Sequence, residues 1–182
     1  MKNTALLLVI AVLGGLAGVL LGRQFAVPAP RPAPPGVTQA QPGDPAPALS
    51  WQTLDGVSTG LDALKGRPVL INYWASWCGP CIREMPVLSA FAAAQGASGV
   101  QVLGVAIDNE ASVREFLQRI PVSYPIALEA PDAMDSSITM GNNRNVLPFT
   151  VLIGADGRVQ AQKFGDFSAS ALQSWVSANA RN

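Results

Sequence analysis

The chain has 182 residues, 12 basic against 12 acidic side chains, and only 13% charged residues. That leaves room for one ordinary domain of roughly 100–150 residues plus a terminal extension, and no run of Lys and Arg is long enough to attract nucleic acid. There is no histidine and there are two cysteines, which excludes Ser-His-Asp and Cys-His catalysis, imidazole-ligated haem, the commonest zinc shells and a four-thiolate site within one chain. No metal or cofactor is expected, and the chemistry is left to thiols, carboxylates, hydroxyls and the backbone.

Residues 5–22 read ALLLVIAVLGGLAGVLLG, uncharged throughout, with Lys2 before them and Arg23 after. A helix of that length covers roughly 27 Å at ~1.5 Å per residue, close to the ~30 Å hydrocarbon core. Residues 1–26 therefore read as an N-terminal transmembrane signal-anchor. A cleaved signal peptide has a similar apolar run, but here prolines crowd any small-residue cleavage site in the QFAVPAPRPAPP that follows. Residues 27–47 are rich in Pro and Ala with too little apolar bulk for a core. They read as an extended linker of up to ~60 Å at ~3.1 Å per residue, or as plain disorder. Lys2 and the amino terminus are matched by Arg23 and Arg31, so positive charge orients the span only weakly. The short tail ahead of a single span favours sending the rest of the chain across the membrane.

From residue 48 to residue 182 the pattern changes to punctuated apolar runs. PVLINYW at 68–74 and VQVLGVAI at 100–107 suit buried strands. Between them, residues 78–95 have helical composition, with Leu88, Phe91 and Ala92 at helical spacing. This order implies a right-handed parallel crossover. Asp108 or Asn109 is placed to cap a second helix through about Arg119, with Val113, Phe116, Leu117 and Ile120 on one face and Pro121 as the stop. Residues 149–153 and 158–164 flank Ala155-Asp156-Gly157, a hairpin signal. Residues 168–178 suit a closing helix with Leu172, Trp175 and Val176 turned inward. The fold class is α/β, a central mixed sheet flanked by helices.

Both cysteines lie in WASWCGPCIREMP at 74–86. A Cys-x-x-Cys at the first turn of a helix meets unpaired N–H groups and the positive end of the helix dipole, which lower the pKa of the leading thiol. Cys78 is thus the expected nucleophile and Cys81, one turn further in, the resolving thiol. Gly79 and Pro80 shape the turn and leave little bulk over the sulfurs. Trp77 is either an apolar flank for a docking partner or simply packed. A purely structural disulfide is a poor alternative, because so short a loop constrains the unfolded chain little.

WASWCGPC at 74–81, IREMP at 82–86 and LPFTVLIGADGRV at 147–159 together resemble the thioredoxin superfamily, and within it the membrane-tethered TlpA/ResA-type thiol-disulfide oxidoreductases. The resemblance covers residues 48–182 and implies a thioredoxin-like fold. It implies that Pro148 is a cis-proline beside the dithiol, that the backbone of Leu147 pairs with an extended substrate, and that Pro86 kinks the helix. In ResA-type members the position of Glu84 holds a buried acid coupled to the cysteines, which implies a proton donor and acceptor for Cys81; an exposed Glu beside Arg83 is the alternative. Plain thioredoxins carry their acid where this chain has Asn72. The loop MGNNRNVLP lacks the Gly often found two residues before the proline, and Gly154 stands where Asp is common, so partner recognition is open to differ.

The Gly-Pro dipeptide is that of thioredoxin, at about −270 mV, and there is no motif His of the DsbA kind, at about −120 mV; the chain reads as a protein-disulfide reductase. With two cysteines it cannot recharge itself. The resemblance implies an electron donor of the DsbD/CcdA type in the inner membrane. The substrates would be apocytochrome c or other periplasmic protein disulfides. A peroxiredoxin-like peroxidase would want Thr or Ser where Ala75 stands, and a non-catalytic binding module would have no need of both Cys78 and Cys81.

Overall fold

The computed structural model describes residues 14–15, 34–132 and 134–180. The chain divides into a unit of residues 1–30 and one of residues 31–182. The span expected over residues 1–26 lies outside the described residues, apart from 14 and 15; among those described, no helix is long and apolar enough to cross a membrane.

The second unit runs β1 (Ser50–Thr53), β2 (Ser58–Gly60), β3 (Val69–Trp74), α1 (Gly79–Ala94), β4 (Gln101–Ile107), α2 (Glu110–Arg119), β5 (Ile126–Glu129), α3 (Ser136–Thr139), β6 (Phe149–Ile153), β7 (Val159–Phe164) and α4 (Ala169–Asn179). The strands make one sheet in the order β2-β1-β5-β4-β3-β6-β7. β3 pairs parallel with β4, and β4 with β5, whereas β6 and β7 and the β1–β2 hairpin run antiparallel to their neighbours. This is the mixed sheet with flanking helices read from the sequence.

β3 lies inside the sheet between β4 and β6, and all six of its residues are buried, as a strand covered on both faces requires. Leu70 and Trp74 point to the face covered by α1, where they join Cys81, Met85, Leu88 and Phe91. Val69, Ile71 and Tyr73 point to the other face, with Leu103, Val105, Phe149 and Val151. Each fully buried Leu contributes about 1.5–3 kcal/mol of transfer free energy. Asn109, not Asp108, caps α2, its Oδ1 accepting from Ser112 N at 2.9 Å. In α4 Leu172 and Val176 are buried, while Trp175 is half-buried and rests on Phe167 at 5.3 Å between ring centroids.

The expected boundary at residue 48 needs correction. Ala40 is buried, and its N–H donates to Thr139 O at 2.8 Å. Gly43 N donates to Val159 O at 2.7 Å, Val159 N to Asp44 O at 2.9 Å, and Pro45 bridges Arg158. The last part of the expected linker is therefore a strap along β7, and the folded domain begins at or before Ala40.

Candidate active site

The chain leaves β3 at Trp74 and enters α1 with Cys78 as its N-cap, at φ −84° and ψ 102°. Pro80 occupies the first turn, where a missing N–H costs nothing, and Pro86 lies inside the helix. The two cysteines form a disulfide with 5.2 Å between Cα atoms. Cys81 N also donates to Cys78 Sγ at 3.3 Å, so the sulfur sits among the unpaired donors of the helix start. Cys78 keeps 5% exposure and Cys81 none, which makes Cys78 the sulfur that an incoming group can reach. A Cβ on Gly79 would meet no atom within 4 Å, so the surface at this residue, next to Cys78, is open.

The loop before Cys78 is pinned by a residue whose place in the sequence suggests only a helix cap. Asp108, buried at the end of β4, accepts from Ser76 N at 2.9 Å and Ser76 Oγ at 2.6 Å through one oxygen. Its other oxygen accepts from Asn109 N at 2.7 Å. Trp77 is 72% exposed, which removes the reading in which it is simply packed. It borders a groove of about 600 Å³ lined also by Ile107, Pro131, Asn145, Val146 and Leu147. The Leu147–Pro148 bond is cis, and Gly165 N donates to Pro148 O at 2.9 Å.

Glu84 is fully buried, three residues past Cys81 on the same helix, so the alternative of an exposed Glu does not hold. Arg83 instead pairs with Asp166 at 3.0 Å on the surface. Glu84 Oε1 accepts from Asn72 Nδ2 at 2.8 Å and Oε2 from Phe167 N at 3.1 Å. Asn72 Nδ2 also donates to Thr150 Oγ1 at 3.1 Å, because Asn72 and Thr150 face each other across β3 and β6. Burial pushes the Glu84 carboxyl from an ordinary 4.5 up to about 7, against the lowering effect of these hydrogen bonds and of Lys163, and with help from Asp166. A proton is therefore exchangeable near neutrality one helical turn from the buried Cys81 sulfur, in a chain that has no histidine for the task.

Thr150, Lys163 and Phe167 were not singled out from the sequence. Lys163 Nζ donates to the carbonyls of Gly165 at 2.8 Å and Asp166 at 2.7 Å and lies 4.1 Å from the Phe167 ring centroid. It thereby holds the turn that presents Phe167 N to Glu84. The structure brings Cys78, Cys81 and Glu84 onto one helix start, with Asn72 beneath it and Trp77 and Leu147 along the neighbouring groove. Among the described residues no cluster of His, Cys, Asp or Glu is arranged to hold a metal ion.

The chain matches the Redoxin family over residues 41–175. It is 28% identical over 137 residues to a thiol-disulfide oxidoreductase ResA of Bacillus cereus, covering 75% of this chain and 77% of that one. It is 26% identical over 180 residues to the ResA of Bacillus thuringiensis (strain Al Hakam), covering 97% of both. In structure it is similar to a thioredoxin-related protein from Neisseria meningitidis serogroup B, with TM-score 0.61, 32% identity, and coverage of 72% of this chain and 97% of the other.

Proposed function

From the premise that this chain belongs to the Redoxin family, we propose that it is a thiol-disulfide oxidoreductase that reduces protein disulfides on the extracytoplasmic side of the membrane holding its amino terminus. The observation that carries this reading is the Cys78–Cys81 pair at a helix start with the buried Glu84 behind it. In the reduced enzyme the Cys78 thiolate attacks a substrate disulfide, forming a mixed disulfide and releasing the first substrate thiolate. The Cys81 thiol passes its proton to the Glu84 carboxylate, and its sulfur attacks Cys78 Sγ. The S–S bond of the enzyme forms, the mixed bond breaks, and the second substrate thiolate leaves. The enzyme has lost two electrons and the substrate has gained them.

The Gly79-Pro80 dipeptide and the absence of a motif histidine support the reducing direction. The apolar run at residues 5–22 supports an inner-membrane anchor, with the catalytic domain in the periplasm. Alignment with the Bacillus thuringiensis ResA over 97% of both chains means that the amino-terminal segment is not an addition peculiar to this chain. Substrates of this reading are apocytochrome c before haem attachment or other extracytoplasmic protein disulfides, and a membrane protein of the DsbD/CcdA type returns the electrons. The groove beside Trp77 and Leu147 would receive an extended substrate segment.

Insulin-disulfide reduction tests the activity: the wild type is expected to reduce insulin and Cys78→Ser to do so only at background. A Cys81→Ser variant in the native compartment is expected to accumulate its substrate as a mixed disulfide at Cys78. A dithiol potential above about −180 mV, the value typical of protein disulfide isomerase, would overturn the reducing direction.

A further inference from the structure

Both hydrogen bonds to Glu84 come from N–H donors, Asn72 Nδ2 at 2.8 Å and Phe167 N at 3.1 Å. Such a shell fits a carboxylate, which only accepts. A protonated carboxyl carries an O–H that needs an acceptor. Phe167 N is backbone and cannot change sign, but Asn72 can, because half a turn about its last side-chain bond exchanges Oδ1 with Nδ2 in nearly the same positions.

The remaining contacts of Asn72 fit both orientations. Nδ2 meets Thr150 Oγ1 at 3.1 Å, and a hydroxyl can accept from an amide N–H or donate to an amide oxygen. After the exchange, the two lone pairs of Oδ1 would take the Glu84 O–H and the Thr150 O–H. At the other end of the amide, Asn72 Oδ1 is buried without a hydrogen-bond partner, a costly arrangement that calls for a reason. A bonded Oδ1 would pin the amide in one orientation. An unbonded one leaves the choice to the Glu84 end.

We propose that Asn72 is a positioning residue that lets Glu84 both hold and release the catalytic proton: its amide turns Nδ2 toward the ionised carboxyl and Oδ1 toward the protonated one, with the Thr150 hydroxyl reversing in step. This rests on the reading of Glu84 as proton carrier for Cys81, whose S–H proton goes to a Glu84 oxygen as the Cys81 sulfur bonds to Cys78. The groups around Glu84 are Cys81 on α1, Asn72 on β3, Thr150 on β6, Lys163 on β7, Asp166 paired with Arg83 after it, and Tyr124 ahead of β5. Lys163 is occupied by backbone carbonyls, and the Tyr124 hydroxyl is buried without a hydrogen bond. Among the described residues, Asn72 is thus the hydrogen-bond partner of Glu84 that can supply either sign.

The test is a pH titration of the oxidised full-length chain in detergent micelles, following the Glu84 carboxyl carbon and the Asn72 side-chain NH2 by NMR. Because it needs no turnover, it stands apart from the fate of the proposed function. Both Asn72 NH2 protons are expected to lose their hydrogen-bonded shifts together as Glu84 protonates, near pH 7; movement of only the one facing Glu84 overturns the proposal. Thr150→Val removes the acceptor needed by Nδ2 in the ionised state and only one of two donors to Oδ1 in the protonated state. It is expected to raise the Glu84 midpoint by about half to one pH unit, with Thr150→Ser restoring it. A fixed amide makes the same Thr150 contact in both states, so an unmoved midpoint in Thr150→Val also overturns the proposal.

Discussion

The sheet carries a glutamate cluster on each face, and the two are built on different plans. On the face away from α1, Glu129 accepts from Ser136 N at 2.8 Å and from Trp51 Nε1 at 3.3 Å, while Trp51 Nε1 also reaches Ser136 Oγ at 3.1 Å. The single Ser136 Oγ proton goes to Glu129, and the Tyr73 hydroxyl, 3.2 Å away, donates to Ser136 Oγ. Every side chain of this group has a partner, and the group ties β1, β3, β5 and α3 together. Under α1, Glu84 is as well bonded, but around it Asn72 Oδ1, Trp74 Nε1 and Tyr124 OH are buried without partners. A fully satisfied network specifies one arrangement, whereas an incomplete one retains room to change charge. The first cluster is built as scaffold, and the second as the proposed function requires of machinery.

Exchanging the titrating group should expose that contrast most strongly. Glu84→Gln is expected to slow resolution of the mixed disulfide about 100-fold at neutral pH, as loss of a general base does, read by stopped-flow release of a labelled substrate thiol. The same group sets a pH slope in stability. Its folded-state pKa is raised, so the folded protein binds a proton that the unfolded chain has released between pH 4.5 and about 7. The contribution of this group to stability is thus full below pH 4.5 and falls by about 3 kcal/mol as pH rises through that window. Urea unfolding of the oxidised protein at pH 4.5 and pH 8 is expected to show the fall, and Glu84→Gln to flatten it.

Smaller effects separate surface from scaffold. Trp77→Ala is expected to raise KM for a protein disulfide about tenfold, near 1.4 kcal/mol, since an exposed Trp beside a groove is a docking anchor. Turnover of a small aromatic disulfide and the melting temperature should stay put, and a loss of stability instead would show that Trp77 packs. Trp51→Phe should cost about 1 kcal/mol of stability by removing the indole N–H from Glu129 and Ser136, with activity per folded molecule unchanged. A pH-dependent change in activity there would erase the distinction between the two clusters.

Those elements that could be read from the sequence are the ones with dense apolar patterning. β3, β4, α1 and the β6–β7 hairpin announce themselves by buried runs, helical spacing and Gly157, which takes a positive φ of 78° in the turn. β1 and β2, SWQT and STG, are too short and polar to stand out, and α3 is the four residues SSIT; tertiary contacts create them. The strap at residues 40–47 was missed because backbone pairing to β7 leaves no mark in composition. At the site, the cysteines carry their own signal through spacing, and Glu84 through family resemblance. Phe167 N, 83 residues from Glu84, is a main-chain donor that no residue type identifies, and Thr150 gains its role only from its register opposite Asn72.

Burial of Glu84 gives the molecule an unusually clean proton inventory. With no histidine in the chain and both thiols locked in the disulfide, the amino terminus is the only other group whose ordinary value lies near neutrality. Potentiometric titration of the oxidised protein between pH 6 and 8 should thus record the buffering of the Glu84 carboxyl above that of the amino terminus. Reduction at fixed pH then adds only the two thiols to that inventory, so the proton uptake divides among Cys78, Cys81 and that one carboxyl.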